Sequence, residues 1–161
     1  MIVREATLND LDAIWEIFEP IVKAGETYSF GPETTREEAH SLWLTPGTKT
    51  FVAEENGKVL GSYFLKANQP GLGSHIANCG YMVHPDARGK GLGKQLCVHS
   101  IYTARQMGFK GMQYNLVVST NLAAVKLWEQ CGFKIIGTIP NGFNHKTLGY
   151  VDAHIMFREI D

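Results

Sequence analysis

The fold is most clearly indicated by residues 81–94, which read Tyr81-Met82-Val83-His84-Pro85-Asp86-Ala87-Arg88-Gly89-Lys90-Gly91-Leu92-Gly93-Lys94. The apolar pattern of a strand ends at Pro85, because proline cannot donate to a sheet ladder. A turn with three glycines follows, and a helix begins within it. Those glycines leave backbone N–H groups unobstructed at the positive end of the helix dipole, and three basic residues add mobile positive charge. The stretch therefore predicts an anion cradle into which a pyrophosphate fits.

Two common nucleotide-binding patterns do not describe this cradle. Gly89, Gly91 and Gly93 lack the GxxxxGK[ST] spacing of a Walker A loop. Their spacing also departs from the GxGxxG fingerprint of dinucleotide sites. Nucleoside triphosphates and NAD are therefore disfavoured as ligands, and an ordinary strand-to-helix loop is the alternative interpretation.

The segments on either side of the cradle predict a β-α-β unit. The apolar run from Ile76 to Val83 predicts a strand, and apolar residues at helical spacing from Leu92 mark a helix that stops near Gly108. Met112 to Val118 contains the β-branched pair Val117 and Val118 and predicts a second strand. A crossover of this kind is right-handed, so the two strands are expected to be parallel.

The remaining chain predicts five strands and three helices around that unit. In chain order they are the strand Ile2–Ala6, a helix from Leu11 to Val22 with Pro20 as a kink or break, a short helix over 38–44, hairpin strands over 50–54 and 59–65 joined at Asn56-Gly57, the helix Leu122–Gln130, the strand Phe133–Ile139, and a last strand from Tyr150 or Val151 to Phe157. The order β-α-α-β-β-β-α-β-α-β-β contains no repeat or linker. It predicts one mixed α/β domain over residues 1–161.

Composition disfavours several classes of protein. The chain has 161 residues, 44% of them hydrophobic, which is enough for one continuous core. Its 15 Lys and Arg against 16 Asp and Glu give a net charge of −1, so no overall field favours nucleic acid or an anionic membrane. No apolar run approaches the roughly 20 residues that span a bilayer, and residues 1–5 lack the pattern of a signal peptide. A cytoplasmic protein is therefore expected.

Neither the cysteines nor the histidines predict a metal site. Cys79, Cys97 and Cys131 are odd in number and contain no CxxC pair, which also disfavours a disulfide framework. The six histidines show no HxH or HExxH spacing. No metal cofactor is expected, and the thiols are expected to be reduced and mostly buried. Cys79 as a nucleophile is a weaker alternative, because no base of known proximity can be named.

A second informative pattern lies about 30 residues beyond the cradle. Residues 121–133 read Asn121-Leu122-Ala123-Ala124-Val125-Lys126-Leu127-Trp128-Glu129-Gln130-Cys131-Gly132-Phe133 and are similar to the pattern Nxx[AS]xx[LF]YxxxGF. The cradle sequence Arg88-Gly89-Lys90-Gly91-Leu92-Gly93 resembles the signature [QR]xxGx[GA]. Both patterns are those of the GCN5-related N-acetyltransferases, the GNAT family, and the order of elements resembles that family across nearly the whole chain. Two patterns in the expected context are stronger evidence than either one alone.

The resemblance implies a central mixed sheet of about seven strands flanked by about four helices, with the two splayed strands Ile76–Val83 and Met112–Val118 holding the cofactor. Acetyl-CoA is the implied co-substrate. Its pantetheine arm is expected to meet backbone groups of Met82 and Val83, one N–H polarising the thioester carbonyl. Its pyrophosphate is expected on Arg88, Gly89, Lys90, Gly91, Leu92, Gly93 and Lys94. Asn121 is implied as a partner of the arm, and a plain helix N-cap is the equal alternative.

The implied activity is transfer of an acetyl group from acetyl-CoA to a neutral amine by direct attack, without a covalent enzyme intermediate. One departure from the family bears on the mechanism. Trp128 stands where many relatives carry a tyrosine that protonates the departing thiolate, and an indole N–H has no useful acidity. Trp128 is then expected to pack against the pantetheine arm or in the core, and the thiolate to take its proton from water or from the ammonium product.

The acceptor is indicated by a closer likeness to the subset acting on small amines, amino acids or their analogues, including the phosphinothricin acetyltransferases. Glu26, Tyr28 and Phe30 lie in the loop after the first helix and are candidate substrate contacts, with solvated loop residues as the alternative. Asn115, Glu26 and His84 are candidate catalytic groups. Asn115 is an amide in an apolar strand and needs a partner, whereas His84 ends a strand near the predicted thioester, where a capping role is the alternative.

Three further expectations stay open at this stage. Acetylation of a peptide amino terminus or a lysine is an alternative to a small-molecule acceptor. A non-catalytic acyl-CoA-binding sensor is another, which the missing tyrosine keeps open. A homodimer is expected through an exposed β edge or helices, with Pro140–Gly149 as a candidate segment, while no nucleic-acid or membrane partner is expected.

Overall fold

The computed structural model describes residues 1–161 and shows seven strands and four α-helices in the predicted order. The strands are β1 (Ile2–Glu5), β2 (Thr48–Glu55), β3 (Lys58–Ala67), β4 (Ile76–Val83), β5 (Gly111–Val118), β6 (Lys134–His145) and β7 (Gly149–Glu159). The helices are α1 (Leu11–Ala24), α2 (Arg36–Trp43), α3 (Leu92–Gln106) and α4 (Leu122–Gln130). The predicted α/β fold class, with one mixed sheet flanked by helices, is confirmed.

All seven strands belong to one sheet, in the order β1-β2-β3-β4-β5-β7-β6. Every neighbouring pair is antiparallel except β4 and β5, which are parallel as the crossover rule predicts. These two strands pair only at Ile76↔Gly111, Ala77↔Met112 and Asn78↔Gln113. Beyond that point they separate, so the centre of the sheet opens into a gap between the second half of β4 and the second half of β5.

Each face of the sheet carries a hydrophobic cluster. The larger cluster lies under α3 and α4 and includes Tyr63, Leu65, Leu92, Leu96, Met112, Tyr114 and Phe133. The smaller cluster lies under α1 and α2 and includes Ile14, Ile17, Phe18, Trp43, Val52 and Met82. None of the four α-helices is both long enough and apolar enough to cross a bilayer.

Two local predictions are corrected by the structure. Pro20 does not break its helix, because α1 runs unbroken from Leu11 to Ala24 and buries Ile17 and Ile21 on either side of it. Strand β6 continues past Ile139 to His145, with register irregularities along it. It tolerates Pro140 because it is the outer strand of the sheet, where one missing ladder donor costs little. The structure contains one chain, so the dimer through this region stays a prediction.

Candidate functional site

The turn between β4 and α3 has the shape expected of an anion cradle. A single 3-10 turn over Pro85–Ala87 leads to Arg88, and Gly89 and Gly91 follow with left-handed φ values of 73° and 79°. Gly91 is the N-cap of α3. The backbone N–H groups of residues 89 to 94 donate to no acceptor within the protein. Six unpaired donors at the start of a 15-residue helix are a strong site for an anion.

The side chains of the cradle divide into charged and packing residues. Arg88, Lys90 and Lys94 are exposed, and no carboxylate lies within ion-pair distance of any of them. Leu92 is buried in the cluster under α3, so only its backbone faces the turn. A Cβ added at Gly93 would meet Leu127 of α4 at 3.1 Å, so this glycine allows the two helices to approach closely.

The gap between β4 and β5 exposes alternate backbone groups of β4. His84 donates to Leu60 of β3 at 2.8 Å, and Asn68 donates to Ile76 at 2.8 Å. Because pairing alternates along an antiparallel strand, the even residues of β4 use their N–H and C=O on β3. Tyr81 and Val83 therefore point their backbone groups into the gap, as expected for Val83.

The expectation for Met82 is wrong in this respect. Its backbone groups face β3, and its side chain is 2% exposed in the cluster under α1 and α2. Tyr81 takes its place as the residue whose backbone N–H faces the gap without a partner. The sequence alone did not show this, because the register between β3 and β4 decides which alternate residues face the gap.

A layer of phenols closes the gap on the α3 side. The hydroxyl groups of Tyr81 and Tyr114 lie 2.8 Å apart, so they join β4 to β5 across the opening. Tyr81 also contacts the Ser100 hydroxyl at 2.6 Å. Burial raises the pKa of both phenols well above the ordinary value for tyrosine, so they stay neutral. The Trp128 ring packs 4.8 Å from the Tyr81 ring and 5.1 Å from the Tyr114 ring.

Asn121 and Trp128, which the sequence predicts as cofactor contacts, each have a structural role within the protein itself. Trp128 is half-buried against the phenols, as its packing alternative predicted. Asn121 is the N-cap of α4, and its Oδ1 accepts a hydrogen bond from the Ala124 N–H at 3.3 Å. The Asn121 amide NH₂ group makes no hydrogen bond within the protein, so it is free to donate to a ligand as well.

On the opposite face, the loop after α1 reaches β4. The Tyr28 hydroxyl donates to the backbone carbonyl of Tyr81 at 2.7 Å, and burial raises the pKa of Tyr28 above its ordinary value. Phe30 stacks on Tyr28 with ring centroids 6.1 Å apart, and both rings pack on Phe18. Tyr28 and Phe30 are thus anchored residues and not free loop side chains. Glu26 is exposed at the same loop and makes no hydrogen bond within the protein.

Asn115 belongs to a group of amides at the point where β4 and β5 separate. Its Nδ2 donates to Asn68 Oδ1 at 2.7 Å, and its Oδ1 accepts from Gln113 Nε2 at 3.1 Å. Asn78 is the last residue of β4 that pairs with β5, and its side chain donates to the Gln113 carbonyl at 2.9 Å. The sequence interpretation missed Asn78. The signal available for it was the one used for Asn115, a polar amide inside an apolar strand.

His84 lies at the other end of β4 from these amides and is not brought together with Asn115. Its Nδ1 accepts a hydrogen bond from the Asp86 N–H at 3.1 Å and caps the 3-10 turn that leads to the cradle. The capping alternative therefore explains His84 without a catalytic role.

The three cysteines are all buried. Burial raises the pKa of Cys97 to about 12 and also raises the pKa of Cys79, which opposes the thiolate form that a nucleophile needs. No group of three or more His, Cys, Asp or Glu side chains is placed to hold a metal ion.

Comparison with known proteins agrees with this geometry. The family model described as the acetyltransferase (GNAT) family matches residues 11–133. The N-acetyltransferase aca1 of Schizosaccharomyces pombe is 33% identical, over 83% of this chain and 72% of its own. The phosphinothricin N-acetyltransferase of Alcaligenes faecalis is 29% identical, over 99% of this chain and 82% of its own. The predicted likeness to the phosphinothricin acetyltransferases is therefore confirmed.

Two solved structures extend the comparison. A GCN5-related N-acetyltransferase from Kribbella flavida is 48% identical with a TM-score of 0.94, over 98% of this chain and 96% of its own. The yncA protein of Salmonella typhimurium, solved with its cofactor acetyl-CoA, is 27% identical with a TM-score of 0.84, over 100% and 94% of the two chains. The cradle and the Asn121–Phe133 segment both fall within the residues that the family model matches. The chain therefore belongs to the GNAT family of acetyltransferases, and the predicted enzyme class, an acetyl-CoA-dependent N-acetyltransferase, is confirmed.

Proposed function

We propose that this enzyme transfers the acetyl group of acetyl-CoA to the amine of a small molecule, an amino acid or an analogue, by direct attack in a ternary complex. The observation that carries the proposal is the combination of an open gap in the sheet with a cradle of unpaired N–H groups at its end. A linear ligand with a pyrophosphate in its middle fits both features at once. Acetyl-CoA, when bound, supplies the activated acyl thioester.

The residues that would hold acetyl-CoA form two groups, one for its pyrophosphate and one for its pantetheine arm. The N–H groups of residues 89 to 94, with Arg88, Lys90 and Lys94, would hold the pyrophosphate. The Tyr81 N–H and the backbone groups of Val83 would pair with the pantetheine arm as a neighbouring strand does, and Asn121 would donate to it. An N–H of β4 that points into the gap, at Tyr81, would donate to the thioester oxygen as negative charge develops there.

The acceptor amine is proposed to approach from the α1–α2 face. The α3 side of the gap is closed by the phenol layer and Trp128, whereas the other side carries exposed Glu26 and the amides around Asn115. The amine must be neutral to attack, and Glu26, two residues before Tyr28 in the loop that reaches β4, would accept its proton. Neither Trp128 nor the neutral phenols offer an exposed acid, so the leaving thiolate would take its proton from water or from the ammonium product.

A contact between the β6–β7 hairpin and the loop after α1 supports a small acceptor over a peptide. The tip of the β6–β7 hairpin contacts the loop after α1, where the Lys146 N–H donates to the Gly25 carbonyl at 2.9 Å. Lys146 Nζ also donates to the Lys23 carbonyl at 3.1 Å. An open groove for an extended chain would need this contact to separate, whereas a small molecule does not.

The test is thiol release from acetyl-CoA across amino acids, amino-acid analogues, polyamines, aminoglycosides and peptides. We expect turnover with a small amine and a lower rate at limiting acetyl-CoA in Arg88→Ala, with Arg105→Ala at the far end of α3 as the matched control. Preference for peptides would reject the small-molecule proposal. Binding of acetyl-CoA without turnover of any amine would favour the non-catalytic sensor.

A further inference from the structure

We infer that Lys66 of β3 binds the carboxylate of the acceptor, so that the enzyme acts on amines that also carry a carboxylate. This inference rests on the proposed function. It adds a specificity-determining residue that neither sequence motif contains.

Lys66 lies on the acceptor face, next to the reaction centre. The register pairs Lys66 with Asn78, and residues two apart on a strand share a face, so Lys66 and Phe64 lie together. The Phe64 ring covers Gly80, where an added Cβ would come within 2.5 Å of it. Lys66 Nζ is 5.5 Å from the centroid of the same ring. The Phe64 ring therefore lies between this ammonium and Gly80, the residue before Tyr81, and the Tyr28 hydroxyl lies against Gly80 beside it.

The charge of Lys66 is not neutralised within the protein. The side chain is exposed, and no carboxylate lies within ion-pair distance of it, whereas Lys23, Lys49 and Lys58 each pair with an acidic residue. The neighbours of Lys66 on this face include the neutral side chains of Asn68, Asn78 and Thr48. An unpaired ammonium beside amides that can also donate is a suitable site for a carboxylate.

The reach of an α-amino acid matches this arrangement. An amine attacks from about 3 Å, its carboxylate oxygens lie about 3 Å from the amino nitrogen, and an ammonium–carboxylate contact spans about 3 Å more, which reaches roughly 9 Å in all. That length exceeds the 5.5 Å from the Lys66 ammonium to the centroid of the Phe64 ring, which itself covers Gly80 beside Tyr81. The contact of the ammonium with Phe64 also holds the long side chain over the site.

The test compares matched substrates in matched variants. Each amino acid of the panel is measured with its carboxamide and its decarboxylated amine, for example L-methionine, L-methioninamide and 3-(methylthio)propylamine. We expect the wild-type enzyme to prefer the carboxylate form, and Lys66→Gln to raise the KM of that form by about tenfold with little change in kcat. The carboxamide and the amine should be unaffected, Lys66→Arg should restore part of the preference, and Lys134→Gln on β6 should change nothing.

A binding measurement supplies a readout besides turnover. Calorimetry of the N-acetyl product of the preferred amino acid, titrated into the protein with coenzyme A, should show weaker binding in Lys66→Gln than in Lys134→Gln. Equal losses for carboxylate and carboxamide substrates, or an unchanged preference, would overturn the role of Lys66 while leaving the acetyltransferase proposal intact. If no amine supports thiol release although acetyl-CoA binds, the proposed function fails and this inference falls with it.

Discussion

The two sides of the sheet gap are built from different parts of the chain. On the cofactor side, the donors are backbone N–H groups of residues 89 to 94 and of β4, and their positions follow from left-handed turns and an interrupted ladder. On the proposed acceptor side, the groups are side chains: Glu26 and Tyr28 from a loop, and Asn115 from a strand. A backbone site fixes what is bound through local geometry, whereas a side-chain site can change its ligand by substitution while the fold is kept.

The largest effect should come from the backbone of the cradle. Gly91 has a φ of 79° and Gly57, in the β2–β3 hairpin turn, has a φ of 76°, and no protein atom lies within 4 Å of an added Cβ at either. Alanine at each position should cost a similar strain of about 1–2 kcal/mol. Only Gly91→Ala also places a methyl group in the cradle, so we expect acetyl-CoA affinity to fall roughly a hundredfold there.

The measurement is calorimetric titration with acetyl-CoA, together with the melting temperature of each variant. Gly57→Ala should share the loss of melting temperature and keep the wild-type affinity. An equal loss of affinity in both variants would show that general strain, and not the cradle, sets cofactor binding.

Arg88→Ala should have the next largest effect, and that effect should be confined to acetyl-CoA binding. Loss of one charge-assisted contact to a phosphate is expected to weaken acetyl-CoA binding about tenfold, and added salt should narrow the difference. The acceptor KM at saturating acetyl-CoA should not change. Initial rates with both substrates varied check this, with Arg105→Ala as the control, and a raised acceptor KM would contradict the separation of the two sides.

A smaller effect, on the acceptor side, is expected for Tyr28→Phe. The change removes the hydrogen bond to the Tyr81 carbonyl and loosens the loop that carries Glu26, at a cost of about 1 kcal/mol. We expect a several-fold loss of kcat/KM for the acceptor, with acetyl-CoA affinity within about twofold of wild type. Steady-state kinetics measure kcat/KM for the acceptor, and calorimetry measures the affinity for acetyl-CoA. Weaker acetyl-CoA binding with unchanged acceptor kinetics would show that Tyr28 supports the cofactor site and not the acceptor site.

The smallest functional effect should follow Tyr114→Phe, because the phenol layer supports both sides without facing either substrate. The variant loses the contact with the Tyr81 hydroxyl, and we expect the melting temperature to fall by about 2–4 °C. Acetyl-CoA affinity and acceptor kinetics should stay within about twofold of wild type. A large loss of kcat at unchanged stability would instead make the phenol pair part of the proton path.

The same contrast explains what the sequence could predict. The cradle was readable because Gly89 and Gly91 are required locally by left-handed turns, and the order of elements because periodicity and the Asn56-Gly57 turn are local signals. The choice between Met82 and Tyr81 was not readable, since it depends on the register of β4 against β3. Asn78 and Lys66 are distant in sequence from Asn115, and only the pairing of β3, β4 and β5 brings them to the same region of the sheet. Strand β6 is longer than predicted, because its position at the edge of the sheet tolerates Pro140.

The separation of β4 from β5 also has a consequence for the protein before any ligand arrives. It leaves an unfinished strand edge in the middle of the sheet, with the N–H groups of Tyr81 and Val83 unpaired by β5. Exposed edges of this kind recruit other strands, and proteins normally protect them. Acetyl-CoA, by covering this edge, would act as a missing strand that completes the fold. Cellular levels of the cofactor would then govern how long a newly made chain survives proteolysis and self-association, in addition to how fast it works.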